Sequence, residues 1–128
     1  MLTTQISWNY LDSTARATIE DLMDGDAEMI ADLVDTLILS SPELLKEIEN
    51  GLQIGNAKQV REAAHALKSS NAQLGALGFS EMCAEMELKG KMEDMANADL
   101  LYTKILEEFE KVESALISWK EHLISTSI

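Results

Sequence analysis

The chain has 128 residues and a formal net charge of −13 at pH 7; 46% of its residues are hydrophobic and 5% aromatic. That length suits one domain with enough apolar material for a core, and the acidity argues against nucleic acid or an anionic membrane as partner. One proline, seven methionines and many Ala, Leu, Glu and Lys residues favour an all-α protein. The single cysteine, Cys83, cannot close an intrachain disulfide, the N-terminus lacks a basic-then-apolar signal, and no apolar run approaches the length of a membrane span. A reducing cytoplasm is the simplest address.

In chain order, Trp8, Leu11, Ala15, Ile19 and Leu22 fall on one side of a helix expected over about 7–24. Asp24-Gly25-Asp26 ends it: Gly25 closes this helix and Asp26 caps the next. This first helix is expected as an addition that covers apolar surface of a bundle spanning about 26–124. The second pattern is Ile30, Leu33, Val34, Leu37, Ile38, then Leu44, Leu45, Ile48 and Leu52. Its phase is the same on both sides of Pro42, which predicts one long helix kinked near Ser40-Ser41 and ending by Gly51 to Gly55.

Asn56 is the expected cap of a third helix, in which Val60, Ala63, Ala64, Leu67 and Leu74 define the apolar face. Gly75-Ala76-Leu77-Gly78 allows a reversal, after which Phe79, Met82, Cys83 and Met86 begin a fourth helix running the opposite way. Cys83 keeps the phase of that set and is expected in the core. Gly90 and the polar run Met92 to Asn97 are expected to close the fourth helix. Leu101, Ile105, Phe109, Val112, Leu116, Trp119 and Leu123 then step by fours and threes along a last helix of about six turns. Short loops between long helices favour antiparallel neighbours. The expected architecture is a single domain over 1–128, an up-down-up-down four-helix bundle with an additional N-terminal helix.

His65 falls about 140° from Val60 at about 100° per residue, well off the apolar face. Arg61, Lys68, Ser69 and Ala72 stand beside it at −4, +3, +4 and +7. The cations suit an anionic cargo and the small side chains leave room for a partner to reach the ring; the plain alternative is a surface histidine on a solvated helix face. Reflecting position 65 through a turn centred near Ala76 lands within about a residue of Glu87, so its carboxylate is expected near the imidazole. An ion pair of Glu87 with Lys91 at +4 is the alternative. Asn71 turns inward, where its amide would need partners.

Ala64-His65-Ala66-Leu67-Lys68-Ser69-Ser70, continued by Leu74-Gly75-Ala76, resembles the signature of the histidine-containing phosphotransfer (HPt) domain, His-x-Leu-Lys-Gly-Ser-Ser followed by Leu-Gly-Ala. The resemblance extends over about 26–116. Ser69 stands where the family often has Gly, and Asn71 where a small residue is usual. The resemblance implies a phosphorelay carrier whose phosphoacceptor is His65, with a Glu or Gln on the neighbouring helix holding Nδ1, a position that Glu87 matches. Lys68, with Arg61 beside it, would offset phosphoryl charge. The implied partners are receiver domains of a hybrid sensor kinase and a response regulator, with Mg²⁺ on the receiver and no cofactor or metal on this chain. Arg61, Ser69, Ala72 and Leu88, together with Leu39, are the expected docking residues, and the protein is expected to be a monomer.

Three other readings compete. An autophosphorylating histidine kinase usually has an acidic residue directly after the histidine, where this chain has Ala66, and needs an ATP-binding domain with a glycine-rich loop that this sequence lacks. Glu62 and His65 have the Glu-x-x-His spacing of di-iron bundles, but a second such motif is missing, and the other histidine, His122, has Trp119 at −3. A helical adaptor that is never phosphorylated remains the alternative from a different class. On the phosphorelay reading the chain carries phosphate without any kinase activity of its own.

Overall fold

The computed structural model describes residues 10–24 and 26–126, and the described residues form five helices with no strand. These are α1 (Ser13–Leu22), α2 (Ala27–Ile54), α3 (Ala57–Gln73), α4 (Leu77–Met92) and α5 (Ala98–Thr126). Helices α2 to α5 close a four-membered ring in which α3 packs on α2 and α4, and α5 packs on α2 and α4. All neighbours are antiparallel. Tyr102, early in α5, donates to the carbonyl of Leu45 at 3.0 Å, whereas Lys120, late in α5, pairs with Asp35 near the start of α2 at 2.7 Å. The up-down-up-down bundle with an added N-terminal helix is therefore the observed fold. No helix among the described residues is long and apolar enough to cross a membrane.

Helix α1 is shorter than the expected 7–24. It starts at Ser13 because the carboxylate of Asp12 accepts from the Ala15 backbone N–H at 2.8 Å, while the Asp12 N–H donates to the Gly75 carbonyl at 2.8 Å. Leu11 is buried just outside the helix, and Trp8 and Gly25 lie outside the described residues. Leu22, expected on the packed side, is 80% exposed. Ile19 and Met23, one turn apart, face the core instead, and Leu22 sits about 60° off that line toward solvent. Where α1 crosses α2 and α3 it leaves an apolar groove of about 380 Å³ lined by Ile19, Met23, Leu33, Leu37 and Leu74.

Asp26 and Asn56 cap α2 and α3 as their side chains predict, accepting from the backbone N–H groups of Met29 and Gln59 at 3.1 Å each. Helix α2 passes through Pro42 without a break. Beside that proline the buried Ser41 hydroxyl accepts from Asn71 Nδ2 at 3.3 Å, and the same amide donates to the Leu67 carbonyl at 3.0 Å. Asn71 is thus turned inward, as its phase requires. Between the helices, Trp119, Phe79, Ile30, Ile48, Leu67 and Met86 are the largest fully buried side chains, and Phe79 meets Phe109 at 5.6 Å between ring centroids. Cys83 belongs to this core, where burial pushes its thiol up to about 12, so it stays protonated at neutral pH.

Gly90 does not close α4. It lies inside the helix, and a Cβ there would sit 2.8 Å from the Ala57 carbonyl oxygen and 2.8 Å from the Arg61 nitrogen. Its missing side chain lets α4 touch the backbone of α3, and the helix ends instead at Glu93 in the left-handed region. Gly51 plays a similar part in α2, with its would-be Cβ 2.7 Å from a Val60 methyl, and Gly55 at φ 72° makes the actual C-cap.

Backbone atoms cannot step aside as a flexible side chain can, so Gly90→Ala should force α4 away from α3. Alanine's better helix propensity returns about 1 kcal/mol, but overpacking costs roughly 1–3 kcal/mol. The expected outcome is a lower urea midpoint for the variant; an unchanged or higher one would contradict the close approach.

Candidate functional site on α3 and α4

Helix α3 buries Val60, Ala63, Ala64, Leu67 and Asn71, which leaves His65 on the outside with 60% of its side chain exposed. Gly90 keeps α3 and α4 close, and the Ser80 hydroxyl of α4 donates to the Lys68 carbonyl at 3.0 Å. This proximity carries Glu87 to the histidine. Its Oε2 lies 2.9 Å from His65 Nδ1, and its Oε1 lies 2.6 Å from Lys68 Nζ.

An ionised carboxylate can only accept, so the Nδ1 facing Glu87 is the nitrogen that carries the proton in the neutral ring. Nε2 then holds the lone pair. Burial opposes ionisation of Glu87, whose side chain is 24% exposed, but hydrogen bonds from Lys68 and His65, together with their charges, outweigh it and hold the carboxyl below its ordinary range. The alternative pairing with Lys91 is not found among the described residues; both carboxylate oxygens turn to residues of α3.

A family model, that of the Hpt domain, matches residues 32–115. The chain belongs to the Hpt domain family. It is similar to the phosphorelay intermediate protein rdeA of Dictyostelium discoideum, at 24% identity over 102 residues that make up 80% of this chain and 40% of that protein. The chain thus spans less than half the length of that curated relative. It also resembles the crystal structure of histidine-containing phosphotransfer protein B (HptB) from Pseudomonas aeruginosa PAO1, with a TM-score of 0.82 and 26% identity over 88% of this chain and 96% of that one. The matched family segment begins inside α2, so α1 stands outside it.

In this Hpt domain the remaining residues singled out by sequence spread along the exposed side of α3 and its surroundings. Arg61 and Ser69, one turn to either side of His65, are exposed and make no ion pair or side-chain hydrogen bond among the described residues. Ala72 is half-buried, while Leu88 is 57% and Leu39 74% exposed. Glu62 pairs with Lys58 at 3.8 Å, and no group of three or more His, Cys, Asp or Glu among the described residues could hold a metal ion. What spacing missed is the tie between Lys68 and Glu87. Reflection through the turn sets position 68 opposite Ala84, and the lysine's length covers the remaining turn to Glu87.

The folded carboxyl value lies below the unfolded one, so the stabilisation from Glu87 is present above the ordinary carboxylate range and is lost as pH falls through the lowered value. By carbon NMR, Glu87 should titrate below an ordinary glutamate, and Lys68→Met should move that titration upward. Identical curves in the two proteins would show that the lysine does not hold the carboxylate.

Proposed function

We propose that this Hpt domain carries a phosphoryl group on His65 Nε2 within a two-component phosphorelay, taking it from the aspartyl phosphate of one receiver domain and passing it to the aspartate of another. The observation that carries this reading is an exposed imidazole whose Nδ1 is held by a partly buried carboxylate, which leaves Nε2 free on the solvent side. The family membership and the phosphorelay name of the Dictyostelium relative support it.

In the loading step the Nε2 lone pair forms a bond to phosphorus, the bond between phosphorus and the aspartyl oxygen breaks, and the receiver's carboxylate leaves with that electron pair. The ring keeps its Nδ1 proton and becomes cationic. The Nδ1–H bond to Glu87 therefore strengthens as charge develops, so the carboxylate favours the transition state over the resting imidazole. The step needs no proton transfer, which suits a chemistry governed by in-line positioning and charge. Lys68 steadies Glu87, and Lys68 and Arg61 bring positive charge to an otherwise acidic protein. Mg²⁺ belongs to the acidic pocket of the receiver, and the cytoplasm is the compartment in which both partners meet.

Docking falls to the surface around the ring. Small Ser69 and half-buried Ala72 keep the approach to Nε2 low, while Leu88 offers apolar contact and Arg61 meets acidic groups of the receiver.

Incubation with a phosphorylated receiver should place an acid-labile, base-stable phosphate on the wild-type protein, and His65→Gln should carry none. A label retained by that variant, or absent from the wild type across the receivers of the source cell, would leave a helical adaptor as the better reading. Lys68→Ala should slow transfer roughly tenfold, as expected for loss of a charge-assisted hydrogen bond. Its thermal stability should change little, since a partly exposed ion pair contributes only about 0–1 kcal/mol.

A further inference from the structure

On the phosphohistidine reading above, we propose that Ser69 is a phosphoryl-binding residue: its hydroxyl donates to a non-bridging oxygen of the phosphoryl group on His65 and holds the phosphorylated protein in its loaded state. Three observations combine. Ser69 lies one turn after His65 on the exposed side of α3, and helical side chains lean toward the N-terminus, which tips its hydroxyl toward the histidine. At four residues' separation the two Cβ atoms are about 5–6 Å apart, within reach of a phosphoryl group projecting from the ring.

The hydroxyl is also uncommitted. Its neighbour Ser70 folds back onto the carbonyl of Ala66 at 2.9 Å, whereas the Ser69 hydroxyl makes no hydrogen bond among the described residues. Lys68, the cation nearest in sequence, is held by Glu87 at 2.6 Å, and the second Glu87 oxygen is held by His65. Lys68 keeps further N–H donors for a phosphoryl oxygen while it holds Glu87, and beside it Ser69 and Arg61 are the two polar side chains of the stripe that make no ion pair or side-chain hydrogen bond among the described residues. Where glycine is usual in the family signature, this chain supplies a donor.

The sign of the effect follows from the charge distribution. In a loose, metaphosphate-like transition state the non-bridging oxygens carry less charge than in the ground state, so a donor on them stabilises phosphohistidine more than it stabilises its breakdown. Ser69 thus slows hydrolysis by water.

The test loads the full chain from a phosphorylated receiver, removes the receiver, and follows the acid-labile phosphate in wild type, Ser69→Ala and Ser69→Thr. Ser69→Ala should shorten the lifetime roughly three- to tenfold, the range of one modest hydrogen bond, with an unchanged melting temperature. Ser69→Thr, which keeps the hydroxyl, should restore it. Equal lifetimes in wild type and Ser69→Ala, or a Ser69→Thr lifetime as short as that of alanine, would overturn the proposal while leaving His65 as phosphoacceptor. A wild-type protein that takes no label would overturn the phosphohistidine reading itself.

Discussion

The site depends on one carboxylate with two donors. Glu87 sits on α4, and both residues that hold it, His65 and Lys68, sit one turn apart on α3. Such an arrangement exists only if the two helices run antiparallel and close, which Gly90 makes possible by withholding side-chain bulk from the contact. Packing and chemistry are linked here in one direction. A half-ångström separation of the helices would loosen a 2.9 Å hydrogen bond to the ring long before it unfolded the bundle.

The electrostatics of the site are unusual for so acidic a chain. Glu87 and Lys68 cancel, so the pair brings no net charge to this place in a protein of net charge −13. Arg61 then leaves the stripe with a positive excess. On the proposed reading, an aspartyl phosphate arriving within an acidic receiver pocket would meet neutral or positive surface at this place, while the surrounding carboxylates would repel misplaced encounters. Screening limits that guidance to about 8 Å at physiological ionic strength, which makes position on the helix face matter more than total charge.

Most of this was legible in the sequence because period and phase suffice for a helical bundle. The apolar steps fixed which side of α3 faced inward, which exposed His65, and the brevity of the turn at Gly75 set Glu87 opposite it. Two kinds of information were not legible. Glycines at 51 and 90 read as helix ends, yet a helix end and a tight helix crossing both call for a missing Cβ, and only three-dimensional neighbours separate them. Lys68 read as a cation free for phosphate, because a wheel gives direction from the axis but not the reach of a long side chain across to the next helix. The start of α1 is set by the Asp12 cap together with the tertiary bond from the Asp12 N–H to Gly75, and local periodicity contains neither.

The tie between Lys68 and Glu87 changes what the lysine can contribute. Without it, the burial that opposes ionisation of Glu87 would be offset by the hydrogen bond from His65 alone, and the carboxyl would titrate higher. With it, the carboxyl is held lower and accepts from Nδ1, so on the proposed reading the nucleophilic lone pair lies on Nε2 before any phosphoryl group arrives. Were the ring phosphorylated as proposed, it would become cationic, and Glu87 would face two positive groups and hold both more tightly. The lysine thus acts through the carboxylate it holds, and because an ammonium carries three N–H donors it could also meet a phosphoryl oxygen on the proposed reading without releasing Glu87.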